Sequence, residues 1–90
     1  MHVVLASLTA PSGSACRRET LAVVTDLVWA HAVPDDGLEH VTPRPTRDGI
    51  DVYLFVRATG DDDLAVWRMR SLFDRAGPSI AAQGYVLAAR

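Results

Sequence analysis

The sequence predicts an α+β fold, in which a four-stranded antiparallel sheet carries two helices on one face. Segments with strand and helix periodicity follow one another in the order strand, helix, strand, strand, helix, strand. Asp48-Gly49 supplies a hairpin signal between the second and third strands. The 90 residues, 49% of them hydrophobic, suffice for one small core. We therefore expect a single domain over residues 1–90.

An apolar run predicts the first strand, and the turn and proline residues that follow it predict where the first helix begins and ends. His2 to Leu8 is apolar on both alternating faces, which predicts a strand in the middle of the sheet. Thr9 to Ser14 consists of residues typical of turns and ends in a serine whose hydroxyl can cap a helix N-terminus. A helix is therefore predicted from about Ala15 to Val33, before Pro34. His31 lies near the middle of its apolar stripe and is expected to be a core histidine. The stripe consists of Thr20, Leu21, Val24, Leu27 and Val28.

The second and third strands are predicted as a hairpin. Leu38 to Thr46 is expected at the sheet edge, because Pro43 and Pro45 cannot donate ladder hydrogen bonds. Ile50 to Ala58 alternates with period two, which predicts a strand with two different faces. Those faces are Ile50, Val52, Leu54 and Val56 on one side, and Asp51, Tyr53, Phe55 and Arg57 on the other.

The second helix begins at an acidic cap. Gly60-Asp61-Asp62-Asp63 places negative charge at the positive end of the helix dipole. Gly77-Pro78 is expected to end the helix at about Ala76, followed by a connector over Ser79–Gly84 and a last strand over Tyr85–Ala89. The inward stripe is predicted to be Ala65, Val66, Met69, Leu72, Phe73 and Ala76.

The βαββαβ order of these segments over the whole chain resembles the ferredoxin-like fold. The resemblance is architectural, and that fold hosts enzymes, regulators and RNA-binding proteins alike. The first loop, TAPSGSACRR, lacks the phosphate-binding run of acylphosphatases, and the chain has no asparagine. Ala10-Pro11-Ser12-Gly13 matches the D-x-P-G-like turn of ACT-type amino-acid sensors only loosely. Tyr53 and Phe55 alternate as in an RNA-recognition motif, but the first strand has no aromatic residue.

Composition narrows the classes of partner. The net charge of −2 and the pI of about 5.8 argue against nucleic acid as a partner. All nine basic residues are arginine, which is typical of a GC-rich bacterial genome. The single cysteine excludes an intramolecular disulfide, and no apolar stretch has the roughly 20 residues of a membrane span. One unpaired cysteine fits a reducing compartment, so a cytoplasmic protein is expected. No metal or cofactor is expected, because His2, His31 and His40 are not spaced as metal ligands are.

The start of the first helix is a candidate anion site. Ser12, Ser14 and Arg17 surround a predicted helix N-terminus, where a phosphate or carboxylate would be favoured. Cys16 lies in the same place beside two arginines, but no CxxC motif or fixed histidine accompanies it. We expect an inert thiol at this position.

Two tryptophans carry the strongest functional signal. Helical projection places Trp29 and Trp67 on faces turned away from the sheet, with Arg70 beside Trp67. Tryptophan with arginine is typical of interface anchors, although Trp67 stacked on Arg70 would also explain the pair. Tyr53 and Phe55 form a second candidate surface, on the sheet face opposite the helices.

No set of residues qualifies as catalytic, so the sequence predicts a small accessory or adaptor protein. We expect it to bind a protein or peptide partner and to form a homodimer. The alternative is a dimeric α+β barrel enzyme or an ACT-like small-molecule sensor with a pocket at the sheet face. That pocket would be lined by Tyr53, Arg57, Tyr85 and His40.

Overall fold

The computed structural model describes residues 2–10, 18–57 and 60–88. Its elements are β1 (His2–Thr9), α1 (Arg18–His31), a 3-10 turn (Pro34–Asp36), β2 (Leu38–Pro45), β3 (Gly49–Val56), α2 (Asp62–Ala82) and β4 (Val86–Leu87). The four strands form one antiparallel sheet in the order β2-β3-β1-β4. The predicted α+β fold, with a four-stranded antiparallel sheet and two helices, is confirmed. Neither α1 nor α2 is long and apolar enough to cross a bilayer.

Both helices pack against the same face of the sheet. Ala6 of β1 pairs with Val52 of β3, and the side chains of both are buried against the helices. The predicted alternation of β3 is confirmed, because the even-numbered residues from Ile50 to Val56 are fully buried and the odd-numbered ones between them are only half-buried. The principal core side chains are Leu8, Val24, Val28, Ile50, Val52, Leu54, Val56, Met69, Leu72, Phe73 and Ile80.

The end of α1 is set by the proline that follows it. The helix ends at His31 rather than at Val33 as predicted. The ring of Pro34 disfavours the helical conformation for the preceding residue, and Val33 is extended, with φ −115° and ψ 158°. Gly37 closes the 3-10 turn in the left-handed region, with φ 70°.

A half-buried ion pair joins this turn to α2. A carboxylate oxygen of Asp36, which is 4% exposed, lies 2.7 Å from Nη2 of Arg75. The same carboxylate accepts a hydrogen bond from the Val33 N–H at 2.8 Å. Arg75 also donates from Nε and Nη2 to the carbonyl oxygen of His31, at 3.3 Å each. One guanidinium therefore ties the last turn of α1 and the connector after it to α2.

Helix α2 continues through the proline that was predicted to stop it. It begins at Asp62 as expected, with Asp61 accepting the N–H groups of Asp63 and Leu64, but runs to Ala82 instead of Ala76. Gly77 has no Cβ to clash with the Pro78 ring. Pro78 lies on the exposed side, while Ile80 in the extra turn is buried. Burial of Ile80 offsets the one helical hydrogen bond that the proline removes.

Both edge strands end earlier than predicted. The edge position of β2 is confirmed, although the strand ends at Pro45 rather than Thr46. The hairpin closes with the Thr46 N–H donating to the Gly49 carbonyl at 2.9 Å. Of the strand predicted over Tyr85–Ala89, β4 comprises Val86 and Leu87, Tyr85 is buried ahead of it, and Ala89 lies outside the described residues. Within the described residues, β4 therefore covers only part of the edge of β1.

Candidate functional site

The helix-free face of the sheet carries an apolar area at one end. Val3 lies opposite Phe55, and Leu5 lies opposite Tyr53, in the antiparallel pairing of β1 with β3. Val3 is 55% exposed and Leu5 is 39% exposed, while both aromatic residues are half-buried. We call Val3, Leu5, Tyr53 and Phe55 the sheet patch. It contains both aromatic residues that the sequence nominated for this face.

The other end of the same face is polar. The Ser7 hydroxyl donates to a carboxylate oxygen of Asp51 at 3.0 Å, and Arg44 of β2 pairs in register with Asp51. The His40 ring lies 5.6 Å from that of Phe55, at the margin between the two ends. Polar side chains therefore bound the apolar area at this end, as a polar rim bounds the core of a protein interface.

A groove of about 500 Å³ opens between β1 and α2. It lies on the β4 side of β1, beyond the point where β4 ends. Among its described lining residues, Arg70 is the one charged residue and Ser7 the only other polar one. The lining comprises Val3, Val4, Leu5, Ala6, Ser7, Leu54, Val66, Met69, Arg70, Phe73, Leu87 and Ala88. This volume lies within the range typical of ligand sites in proteins.

Val66 shows how the groove arises. The sequence places it on the inward stripe of α2, but it is 44% exposed, whereas Ala65 and Met69 on the same stripe are buried. A helix side chain is buried only where the sheet beneath it extends far enough to cover it. Because β4 has only two residues, Val66 instead lines an open groove.

The sheet-face pocket of the alternative prediction is not assembled by the described residues. Tyr85 is buried on the helix side, where it lines a separate cavity of about 130 Å³ with Phe73 and Ile80. Tyr53 and His40 lie on the helix-free face. Arg57 follows β3 and donates its backbone N–H to the Gly37 carbonyl at 2.8 Å. The four residues are thus divided between the two faces of the sheet.

The two tryptophans are exposed, as their helical projection predicts. Trp29 is 43% exposed and Trp67 is 64% exposed. Neither ring stacks on a guanidinium within the part of the chain that the structure describes, so no contact of Trp67 with Arg70 accounts for its position. Trp67 precedes Arg70 by one helical turn and thus flanks the groove, whereas Trp29 on α1 does not line it.

We expect truncation of either tryptophan to cost less stability than truncation of a core aromatic residue. Trp67→Ala should lower the free energy of unfolding by less than about 2 kcal/mol and Trp29→Ala by about 2 to 3 kcal/mol, because 64% and 43% of these residues stay in water. Phe73→Ala is the matched control, since that ring is 5% exposed and its loss should cost about 3 to 5 kcal/mol. Denaturant titration measures all three. A tryptophan variant as unstable as the Phe73 variant would show that its ring is packed.

The remaining predictions concern the anion site, the Cys16 thiol and the histidines. Ser12, Ser14 and Arg17, with Cys16, lie outside the described residues. His31 is half-buried rather than fully buried, and its Nδ1 lies 2.9 Å from the Leu27 carbonyl. Among residues 2–10, 18–57 and 60–88, no three histidine, cysteine or acidic side chains lie together as a metal site would require.

The groove is the feature that sequence reasoning missed. Of the nominated partner-binding residues, it contains Arg70 alone. The available signal was that the last apolar run, Tyr85 to Ala89, is shorter than the eight-residue first strand. Comparison of the chain with protein-family models, with curated proteins and with solved structures gave no match.

Proposed function

We propose that this chain is a non-catalytic, cytoplasmic accessory protein that binds a protein or peptide partner and acts as a homodimer. The observation that carries the proposal is the exposure of apolar side chains around β1. Val3, Leu5, Val66 and Leu87 are all 39% exposed or more. Apolar surface of this extent in one region is typical of protein interaction sites.

We further propose that residues 1–90 form one domain of the ferredoxin-like type. The order β1, α1, β2, β3, α2, β4 supports this, together with helices on one sheet face. The chain adds a 3-10 turn after α1 and shortens β4 to two residues. In such a domain the helix-free face is available for a second copy.

The sheet patch is the surface that we assign to dimerisation. Its paired residues offer two rows of apolar side chains, and the Ser7–Asp51 hydrogen bond bounds them on one side. Two copies related by a two-fold axis would place the same patch on both sides of the interface. The groove shares Val3 and Leu5 with the sheet patch, whereas its α2 wall lies on the other side of the sheet and would stay clear of that interface.

A charge in the sheet patch should abolish the dimer. Tyr53→Glu would place a carboxylate in the centre of the interface, and an unpaired buried charge costs about 3 to 5 kcal/mol. At micromolar concentration, light scattering should report twice the monomer mass for the wild type and the monomer mass for the variant. Val23→Glu, on an exposed position of α1, should remain dimeric. A wild-type chain that is monomeric across a hundredfold dilution range would contradict the proposal.

A further inference from the structure

The edge of β1 offers unpaired main-chain groups to a ligand. Within the described residues, β4 pairs with β1 at Leu8 and Thr9, and the Ala88 N–H donates one more hydrogen bond to the Ser7 carbonyl at 2.8 Å. Main-chain groups alternate between the two sides of a strand, so those of Leu5 and Val3 point the same way as those of Ser7. Within the described residues, no strand lies beside Val3 or Leu5 on that side. Such an edge is a template for one more strand.

The groove supplies space for that strand and for its side chains. β1 forms one wall, and the α2 residues Val66, Met69 and Phe73 form the other. Leu54 of the central strand β3 also lines it, so the cavity reaches towards the core. A strand added at the usual spacing of about 4.8 Å from β1 would direct alternate side chains into this cavity. The shape therefore favours an extended ligand over a compact one.

Arg70 determines the charge of the ligand. It lines an otherwise apolar groove and makes no hydrogen bond or ion pair with another described residue. Among the described residues, no aspartate or glutamate lines the groove to neutralise it. A carboxylate can accept two parallel hydrogen bonds from a guanidinium, and such pairs are stronger than neutral hydrogen bonds. The complementary ligand therefore carries an acidic side chain among apolar ones.

We propose that the β1 edge binds an extended, acidic and apolar peptide segment of a partner protein as an added strand. This inference rests on the proposed function, because it takes the ligand to be part of a protein. A second copy fits the groove less well: its own β1, HVVLASLT, contains no acidic residue to pair with Arg70. Two copies joined edge to edge would also bring two Arg70 side chains towards each other.

The test is a selection from a displayed library of random dodecapeptides against the full chain. The enriched peptides should alternate apolar residues and share one aspartate or glutamate. With the Arg70→Glu chain as bait, the selection should change to lysine or arginine at the same place. The acidic peptide should bind that variant about tenfold to hundredfold more weakly, as expected for a charge-assisted hydrogen bond. Arg68→Glu is the control, since Arg68 belongs to the same helix but does not line the groove.

Backbone methylation separates strand addition from other binding modes. N-methylation of the alternate amides that face β1 should abolish binding of the selected peptide, while methylation of the other amides should not. The proposal is overturned if no peptide is enriched, or if binding survives both Arg70→Glu and methylation in each frame. Protection of the Val3 and Leu5 amides that rises with protein concentration would assign the edge to a second copy and also overturn it. A monomeric Tyr53→Glu chain can be used throughout, so failure of the dimer and failure of the peptide site remain distinct.

Discussion

Gly49→Ala should lower the free energy of unfolding by more than about 3 kcal/mol, which is the upper end of the usual range for overpacking. Gly49 pairs with Thr9 where β3 passes β1. A Cβ added there would lie 1.9 Å from the Leu8 carbonyl oxygen and 2.9 Å from the Thr9 Cα. These are backbone atoms in the neighbouring strand, so no side-chain rotation relieves the clash. The two central strands would have to separate.

Gly84→Ala is the control that isolates this clash. Gly84 has φ 89°, and an added Cβ would meet no atom within 4 Å. Its replacement should cost only about 1 to 2 kcal/mol, the usual penalty for a left-handed backbone with a Cβ. Urea or guanidinium denaturation measures both variants. Equal losses for the two would show that β1 and β3 can separate easily at Gly49, contrary to the structure.

Gly49 also shows what sequence reasoning could reach. Asp48-Gly49 predicts the position of the hairpin, and strands lie on both sides of it. β3 runs from Gly49 to Val56 rather than from Ile50 to Ala58, and Ala58 itself lies outside the described residues. The glycine was interpreted as a turn residue, whereas the structure requires it for the close approach of β1. Turn chemistry is local and can be read from neighbouring residues. The closeness of a strand that is about 40 positions away along the chain cannot be read in this way.

The same distinction separates the correct and the incorrect predictions at the candidate site. The regular spacing of apolar residues identifies the inner faces of β3 and α2, because an element that is buried on one side carries apolar residues at a regular interval along its sequence. Val66 belongs to that pattern but is exposed, because the sheet does not extend far enough to cover it. A periodic pattern in one segment contains no information about where a neighbouring strand ends. The groove exists because β4 stops beside Leu8, and the number of pairs made by a short terminal strand is a property of the whole sheet.

Asp36→Ala should lower the free energy of unfolding by about 2 to 3 kcal/mol. The change removes the 2.7 Å ion pair with Arg75 and the acceptor for the Val33 N–H. Breaking a fully buried pair costs about 3 to 5 kcal/mol, but the Arg75 side chain is 40% exposed and can be hydrated, which lowers the expected cost. Asp74→Ala is the control, because this exposed neighbour of Arg75 should contribute less than about 0.5 kcal/mol.

The ion pair between Asp36 and Arg75 also helps to hold α2, which forms one wall of the groove. The guanidinium connects the end of α1, the connector after it and the helix that forms one wall of the groove. Arg75→Ala should weaken the fold by a similar amount, and a double-mutant cycle of the two residues should give a coupling of about 1 to 3 kcal/mol. Amide hydrogen exchange in α2 should rise in either variant, while the pairing of β1 with β3 stays protected. Additive losses in the cycle would mean that the pair does not hold α2 in place, and that the groove wall is stabilised by core packing alone.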